Sequence, residues 1–341
     1  MLHRVEVFLR HVAGWWLALL WWRPWRSRRS LLSTARRVVV VRIDNRVGEV
    51  LLTTPLVDAL SKTHEVHLVV HPKCVRVMEA LPGLAGLHAF ERKWLWLGVF
   101  SSDVRRLRAL CRDAVVVNAA SWVEYSGTPA LVSRLLGAHG CVVGPAQGPS
   151  RLLMDVGVAA RTDTRNEVEQ RLHLLSPLVA NPAGAMCFRA PRTTPAVDAL
   201  ISTHPSFAVV NPGGRLGARR VPTAVFSGVT KALAQRGITP IVTWGPGEEA
   251  LAKEVLDRGT GVLAPPTSLD ELAALMASSK LVVCNNTGPM HLSVAVGAKT
   301  VALFWKMPID QWGHPKPPHA MLDLTNEPDV ESMVTRVAQS L

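Results

Sequence analysis

One stretch of the chain shows most clearly how it folds. Residues 281–294 read Leu-Val-Val-Cys-Asn-Asn-Thr-Gly-Pro-Met-His-Leu-Ser-Val. The apolar run over residues 281–284 predicts a buried strand, and residues 289–296 predict a helix with proline in its first turn. A short polar turn joins the two. A strand that leads through a short turn into a helix is the building unit of a parallel α/β sheet.

The same unit recurs on both sides of this stretch. The strands predicted from apolar runs are residues 38–42, 66–70, 87–90, 114–118, 207–211, 238–244, 262–264, 281–284 and 300–304. The helices predicted around them are residues 51–60, 73–80, 103–111, 222–236, a helix from 248, 269–278 with Ser268 as its cap, and 289–296. This alternation predicts doubly wound parallel sheets with helices on both faces.

The alternation is interrupted once. Residues 177–206 contain five prolines and show no regular periodicity. We therefore place a linker at residues 181–206, between a Rossmann-like domain at 38–180 and a second one at 207–341. Two such domains are expected to face each other across a cleft, with ligands at the carboxyl ends of the strands.

Composition excludes several classes of protein. With 48% hydrophobic and 19% charged residues, the chain is not disordered. The five cysteines are odd in number, far apart and without a C-x-x-C pair, which argues against a zinc site or a disulfide framework and fits a reducing cytoplasm. The chain also contains no Asp-x-Asp triplet, so no metal-binding motif is predicted.

Positive charge is concentrated at the start of the chain. Eight arginines and one glutamate give residues 1–37 seven of the twelve net positive charges. Because the rest of the chain carries few net charges, we do not expect nucleic acid as a partner. Five of the eleven tryptophans lie at positions 15, 16, 21, 22 and 25, and the apolar run at 12–22 is too short to span a bilayer. Residues 1–30 therefore predict an amphipathic helix on a membrane surface. A helix packed on the protein or on a partner, and a cleaved signal peptide, remain alternatives.

Three strand-to-helix junctions in the second half carry the residues that suggest chemistry. The first junction, residues 211–222, contains Gly213 and Gly214, followed by Arg219 and Arg220. Glycines let a ligand approach the backbone, and arginines near a helix start favour an anion. An ordinary turn with solvated arginines is the alternative. The second junction, residues 244–249, contains Glu248, which could accept hydrogen bonds from a ribose diol or simply favour the helix dipole.

The third junction is residues 285–291. Thr287 and Gly288 stand at a helix start, where backbone N–H groups suit a diphosphate. His291 follows one turn later and is either a binding residue or a structural histidine.

At these residues the chain resembles a known family. Asn286-Thr287-Gly288-Pro289-Met290-His291-Leu292 is similar to the Asp-Thr-Gly-Pro-Met-His-Leu signature of glycosyltransferase family 9, the ADP-heptose:lipopolysaccharide heptosyltransferases. Residues 39–55, 219–222, 245–249 and 267–272 resemble further segments of the family, in the family's order. The resemblance covers roughly residues 38–315.

The resemblance implies a GT-B fold and an inverting sugar transfer. The acceptor would bind the first domain and the nucleotide sugar the second. The family's catalytic carboxylate maps to Glu49, with Asp44 as the alternative base. Gly213, Gly214, Arg219, Thr287 and Gly288 would then hold the diphosphate. Glu248 would hold the ribose, residues 263–266 the adenine, and Asn286 and His291 the donor sugar or phosphate.

Two of these positions depart from the family pattern: Glu49 and Asn286 each stand where the family has aspartate. We expect an enzyme that moves a sugar, heptose from ADP-heptose, onto a lipopolysaccharide core or a related glycolipid, with no cofactor required. It would work at the inner face of the cytoplasmic membrane. The departures motivate an alternative, a non-catalytic member that binds nucleotide sugar or glycolipid. An NAD-dependent oxidoreductase is disfavoured because G-x-G-x-x-G is missing after a strand.

Overall fold

The computed structural model describes residues 28–91, 93–97, 100–122, 126–189 and 191–341. The chain forms two compact units. Among the described residues, the first comprises 28–45 together with Thr53–Gly184, and the second comprises Arg46–Leu52 together with Ala185–Leu341. Most of the predicted N-terminal amphipathic helix falls on residues 1–27, which lie outside the described residues.

The first unit contains a six-stranded parallel sheet in the order β3-β2-β1-β4-β5-β6. Its strands are β1 (Arg37–Arg42), β2 (Glu65–Val70), β3 (Leu84–Ala89), β4 (Val115–Asn118), β5 (Cys141–Pro145) and β6 (Val156–Val158). At the centre, Val40 lies opposite Leu68 on one side and Val117 on the other. All three side chains are fully buried, which explains why the central strands are continuous apolar runs.

The second unit repeats this topology, with the order β12-β11-β10-β7-β8-β9. Its strands are β7 (Phe207–Asn211), β8 (Thr239–Val242), β9 (Val262–Leu263), β10 (Leu281–Asn285), β11 (Thr300–Phe304) and β12 (Ala320–Asp323). Phe226, Val229 and Leu233 pack on this sheet as part of a buried apolar cluster. In both units the chain order of the strands reverses at the first strand, as in dinucleotide-binding folds. The predicted α/β class of two parallel sheets is confirmed.

The described helices lie mostly between successive strands. In chain order they are α1 (Leu31–Thr34), α2 (Val47–Leu51), α3 (Thr54–Ser61), α4 (Val75–Met78), α5 (Trp94–Leu97), α6 (Ser102–Leu110), α7 (Gly127–Leu136), α8 (Glu167–His173), α9 (Pro195–Thr203), α10 (Thr223–Gln235), α11 (Glu249–Arg258), α12 (Leu269–Ser278), α13 (Gly288–Ala295), α14 (Ile309–Trp312) and α15 (Val330–Ala338). Ser268 caps α12 in a capping box with Glu271, as predicted. None of the described helices has the length and apolar character needed to cross a bilayer.

Two sequence-based expectations about helices are wrong. A single helix over residues 51–60 is replaced by α2 and α3, because Pro55 has no N–H and is tolerated only in a first helical turn. Residues 195–203, expected to be irregular, form α9 with Pro195 as its first residue. Thr194, just before α9, donates a hydrogen bond of 2.7 Å to Glu271 at the start of α12.

Candidate active site

The three junctions meet at one edge of the second sheet. β7 lies between β10 and β8, and all three strands are parallel, so their carboxyl ends and the turns that follow lie side by side. The first junction follows β7, the second follows β8 and the third follows β10. The predicted donor-site residues of these three turns are therefore neighbours, and their contacts can be described in turn.

Glu248 joins the second junction to the first. Its Oε1 accepts hydrogen bonds from the backbone N–H of Gly214 at 2.8 Å and from Nη2 of Arg220 at 3.1 Å. Its Oε2 accepts one from the backbone N–H of Gly245 at 3.2 Å. A Cβ on Gly213 would lie 2.1 Å from Oε2, so a larger residue there would displace the carboxylate from these hydrogen bonds. The carboxylate of Glu248, which we expect to bind ribose, thus holds in place the turn at Gly213 and Gly214, which we call the glycine turn.

Arg220 completes this connection. Its Nε donates to the backbone oxygen of Gly214 at 2.5 Å, while its Nη2 contacts Glu248. Both backbone polar groups of Gly214 are therefore engaged within the protein. Arg219 is exposed at the end of a 3₁₀ turn, Gly217–Arg219. The two arginines predicted as a pair thus have different environments.

Asn285 joins the third junction to the first, and sequence reasoning assigned it no role. Its fully buried side chain accepts a hydrogen bond from the backbone N–H of Val221 at 3.0 Å. It also donates to the backbone oxygens of Pro212 at 2.8 Å and Gly213 at 3.2 Å. The available signal was a polar residue that ends an otherwise apolar, fully buried strand, because such a side chain must find partners inside the protein.

The start of α13 lies beside the glycine turn. Thr287 is the residue before the helix, and its hydroxyl donates to the backbone oxygen of Asn285 at 3.3 Å rather than capping the helix. A Cβ on Gly214 would lie 2.8 Å from the methyl group of Thr287. A Cβ on Gly288 would meet nothing nearer than the backbone nitrogen of Gly48 at 4.0 Å. A methyl group would thus fit at Gly288 in ordinary contact with Gly48, at the amino end of a helix that favours negative charge.

His291 is buried one turn into α13. Its Nδ1 lies 2.9 Å from Nε2 of His314, and the two rings meet edge to face at 5.1 Å. Burial, and to a smaller extent His319, lowers the pKa of His314 to about 4. His314 is therefore neutral near pH 7. The ring of His291 is held in place by a histidine that the sequence analysis did not single out.

The helix that carries Glu49 packs against α13. A Cβ on Gly48 would lie 3.0 Å from Cδ2 of His291 and 3.3 Å from Cα of Gly288, so Gly48 permits this close approach. Glu49 is in the first turn of α2, its side chain is 9% exposed, and its Oε1 lies 3.9 Å from Nη1 of Arg46. The structure thus places the predicted base on a helix that contacts the third junction, within the second unit.

Asp44, the alternative base, belongs to the first unit. Its Oδ2 lies 3.3 Å from Nη2 of Arg42, whose Nη1 donates to the backbone oxygen of Ala119 at 2.7 Å. Its own backbone oxygen accepts from the thiol of Cys74 at 3.4 Å. These contacts hold the turn after β1 and suit a structural role for Asp44.

The remaining predicted positions also lie at this edge. Residues 263–266, expected near an adenine, are fixed by Trp244, whose indole N–H donates to the backbone oxygen of Ala264 at 3.0 Å. Asn286 is half-buried, and its backbone N–H donates to Leu303. Among the described residues, no three histidine, cysteine, aspartate or glutamate side chains cluster in a way that could hold a metal ion.

Comparison with known proteins identifies the family. The family model "Glycosyltransferase family 9 (heptosyltransferase)" matches residues 132–334, more than half of the chain. The chain belongs to glycosyltransferase family 9. The match includes the three junctions and excludes Glu49 and Asp44. The chain is thus a glycosyltransferase, and its two parallel sheets are those of the GT-B fold.

Individual relatives agree with this family assignment. The chain is 26% identical over 289 residues to "Lipopolysaccharide heptosyltransferase 3" of Escherichia coli K12, covering 75% of this chain and 79% of that protein. A family 9 glycosyltransferase from Veillonella parvula has a TM-score of 0.72 at 20% identity, covering 86% and 87% of the two chains. E. coli heptosyltransferase WaaC, solved with ADP, has a TM-score of 0.68 at 19% identity, covering 89% and 100%. These two structures share its fold.

Proposed function

We propose that this glycosyltransferase moves heptose from ADP-heptose to a sugar of the lipopolysaccharide core, with inversion at the anomeric carbon. The observation that carries the proposal is the packing of α2, with Glu49, against the start of α13, where the family signature lies. The names of the relatives add support, because one is a lipopolysaccharide heptosyltransferase and another was solved with ADP.

In this proposal the diphosphate binds at the amino end of α13. The backbone N–H groups of the first turn suit an anion, and glycine at position 288 lets a ligand approach the backbone closely. Arg219 is exposed in the neighbouring turn and would add positive charge. The charge of the departing ADP would be stabilised by these groups, which are already in position before the reaction.

The nucleoside would bind beside the second junction. A carboxylate offers about four acceptor positions, and Glu248 uses two on Oε1 and one on Oε2 within the protein. Oε2 therefore keeps one acceptor position for a ribose hydroxyl. The adenine would lie against residues 263–266, which Trp244 holds in place.

Glu49 would act as the general base. Its carboxylate takes the proton of an acceptor hydroxyl, the hydroxyl oxygen forms a bond to the anomeric carbon, and the bond from that carbon to the diphosphate oxygen breaks as ADP leaves. Low exposure of the side chain keeps bulk water from the carboxylate. His291, oriented by His314, and Asn286 would face the donor sugar.

The acceptor glycolipid would bind the first unit. The protein would lie on the inner face of the cytoplasmic membrane, held there by the tryptophan- and arginine-rich residues 1–30. This location brings the enzyme to an acceptor that is itself anchored in the bilayer.

The experiment is a transfer assay with the full chain, ADP-heptose and core glycolipid from a strain that lacks this protein. Mass spectrometry should show a gain of one heptose. Glu49→Gln should lower kcat by about 10²–10⁴-fold, as expected for loss of a general base, while ADP affinity stays unchanged. Asp44→Asn is the matched control, since it removes the same charge from the other candidate, and should keep most of its activity.

Two results would contradict the proposal. Transfer from a different nucleotide sugar, with none from ADP-heptose, would show that ADP-heptose is not the donor. Binding of ADP without turnover of any nucleotide sugar would instead favour a non-catalytic binding protein.

A further inference from the structure

A second candidate site lies in the first unit, away from the carboxyl ends of its strands. Arg105, Arg108 and Arg112 recur at spacings of three and four along α6 and its end, so they share one side of the helix. With Ala109 and His139 they line an open cavity of about 260 Å³. The lining thus consists of three arginines, one histidine and one alanine.

This cavity opens at the amino-terminal edge of the sheet. β1, β4 and β5 are parallel and begin at the same edge. Arg112 lies between α6 and the start of β4, and His139 lies two residues before the start of β5. Ligands of doubly wound sheets bind at the opposite, carboxyl edge. The cavity is therefore separate from the place where an acceptor sugar is expected.

Further positive charge converges on the same edge. Arg28 forms an ion pair with Asp113, whose backbone N–H donates to His139 at 3.2 Å. Partial burial, and then the charges of Arg108, Arg112 and Arg28, lower the pKa of His139. We call Arg28, Arg105, Arg108, Arg112 and His139 the basic face.

We propose that the basic face binds the phosphate groups of anionic phospholipids, so that the first unit contacts the membrane through the amino-terminal edge of its sheet. One guanidinium group can bind two phosphate oxygens at once. A row of arginines matches a surface that carries many phosphates better than it matches a single soluble phosphate. This inference concerns the folded first unit and does not depend on the identity of the donor sugar.

Two observations favour a membrane as the occupant. Arg28 contacts this edge through its ion pair with Asp113, and the 27 residues before it in the sequence contain five tryptophans and four arginines. Tryptophan prefers the headgroup region of a bilayer. In addition, Leu152 is 63% exposed a few residues before Asp155, whose backbone oxygen accepts from Nε of Arg29 at 3.0 Å. An exposed apolar side chain beside arginines is typical of an interfacial surface.

The test is co-sedimentation of the full chain with phosphatidylcholine vesicles, with and without phosphatidylglycerol. Because residues 1–27 are present in every sample, the measured quantity is a ratio: the affinity for vesicles with phosphatidylglycerol divided by the affinity for vesicles without it. Arg105→Gln/Arg108→Gln/Arg112→Gln should reduce that ratio by roughly 100-fold, as expected for three charges at an anionic surface. High salt should reduce it for the unchanged protein as well.

The control variant removes three positive charges from the second unit, as Lys231→Gln/Lys253→Gln/Arg258→Gln, and should bind like the unchanged protein. Arg112→Glu, at an exposed residue, tests the same face with one substitution and should weaken binding to phosphatidylglycerol vesicles at least tenfold. Thermal unfolding shows that each variant folds. Transfer to detergent-dispersed acceptor should be unaffected, which separates this inference from the proposed reaction.

Equal binding to both kinds of vesicle by the unchanged protein would overturn the proposal, as would unchanged preference in the triple variant. Binding of inorganic phosphate to the basic face, without binding of the protein to phosphatidylglycerol vesicles, would assign the basic face to a soluble phosphate ligand. Binding of an RNA oligonucleotide in place of vesicles would likewise reject a membrane contact.

Discussion

The backbone N–H of Gly214 donates a 2.8 Å hydrogen bond to Oε1 of Glu248, which ties the glycine turn after β7 to the turn after β8. Arg220 contacts the same two residues by donating to the backbone oxygen of Gly214 and to Oε1 of Glu248. The proposed donor site therefore depends on a carboxylate that holds two turns of the protein together and that we propose also binds the nucleotide. Because a charged acceptor serves three donors here, its loss should be felt in both stability and binding.

Glu248→Gln should weaken ADP binding and lower stability together. A glutamine amide replaces one acceptor oxygen by a donor, so one of the backbone N–H groups of Gly214 and Gly245 loses its partner. We expect a loss of about 1–3 kcal/mol in the free energy of unfolding. ADP affinity should fall at least tenfold by calorimetry.

Glu249→Gln is the control for this substitution, because Glu249 is the next residue and forms an exposed pair with Lys253 at 2.8 Å. Solvent and salt screen exposed pairs of this kind, so stability and ADP affinity should barely change. Equal effects of the two substitutions would show that the carboxylate of Glu248 has no special role.

Asn285→Ala and Asn286→Ala should separate structure from function. Asn285→Ala removes hydrogen bonds to Val221, Pro212 and Gly213 at a fully buried position, and should lower the free energy of unfolding by about 2–4 kcal/mol. Asn286→Ala changes the proposed donor-sugar contact and should lower kcat/KM with little loss of stability. Chemical denaturation and transfer kinetics measure the two effects. A stability loss at Asn286 as large as that at Asn285 would contradict this division.

Gly48→Ala should impair catalysis by pushing α2 away from α13. The new methyl group would meet Cδ2 of His291 at 3.0 Å and Cα of Gly288 at 3.3 Å, and the backbone atom cannot easily move aside. A shift of about 1 Å in the proposed base is enough for a loss of about 10²-fold in kcat. Gly217→Ala is the control, because a methyl group there meets no atom within 4 Å. Full activity of Gly48→Ala would show that this contact does not position Glu49.

The buried His314 should make stability depend on pH. Its pKa is lowered from 6.5 to about 4, so between these values the unfolded chain binds more protons than the folded protein. The stabilising contribution of neutral His314 to the free energy of unfolding is therefore complete above pH 6.5. It is lost as the pH falls towards 4, by up to about 3 kcal/mol. Urea unfolding of the unchanged protein and of His314→Gln at pH 7 and pH 5 measures this. An identical pH dependence in both would refute the assignment to His314.

Much of the fold could be predicted from the sequence, because central parallel strands buried on both faces must be apolar throughout. β1 and β7 illustrate this. Three strands are missing from the predicted set: β5, β6 and β12. The three residues of β6, Val156–Val158, are too few to form a recognisable run. The helix α9 is missing from the prediction because several prolines close together also suit a linker, whereas Pro195 starts the helix.

The candidate site could be predicted only in part. The turns after β7, β8 and β10 were predicted because glycine, proline and polar residues follow apolar strands there. Which partners each side chain has could not be predicted: a sequence pattern does not reveal that Asn285 bonds to the turn at Pro212, or that His314 holds His291. Such contacts depend on tertiary packing between segments far apart in the chain.

The most direct test of the central claim is a crystal structure of the protein with ADP. We expect the β-phosphate to lie within hydrogen-bond distance of the backbone N–H groups of Thr287 or Gly288, with a ribose hydroxyl near Oε2 of Glu248. An ADP molecule bound away from the start of α13, with Gly288 left uncovered, would contradict it.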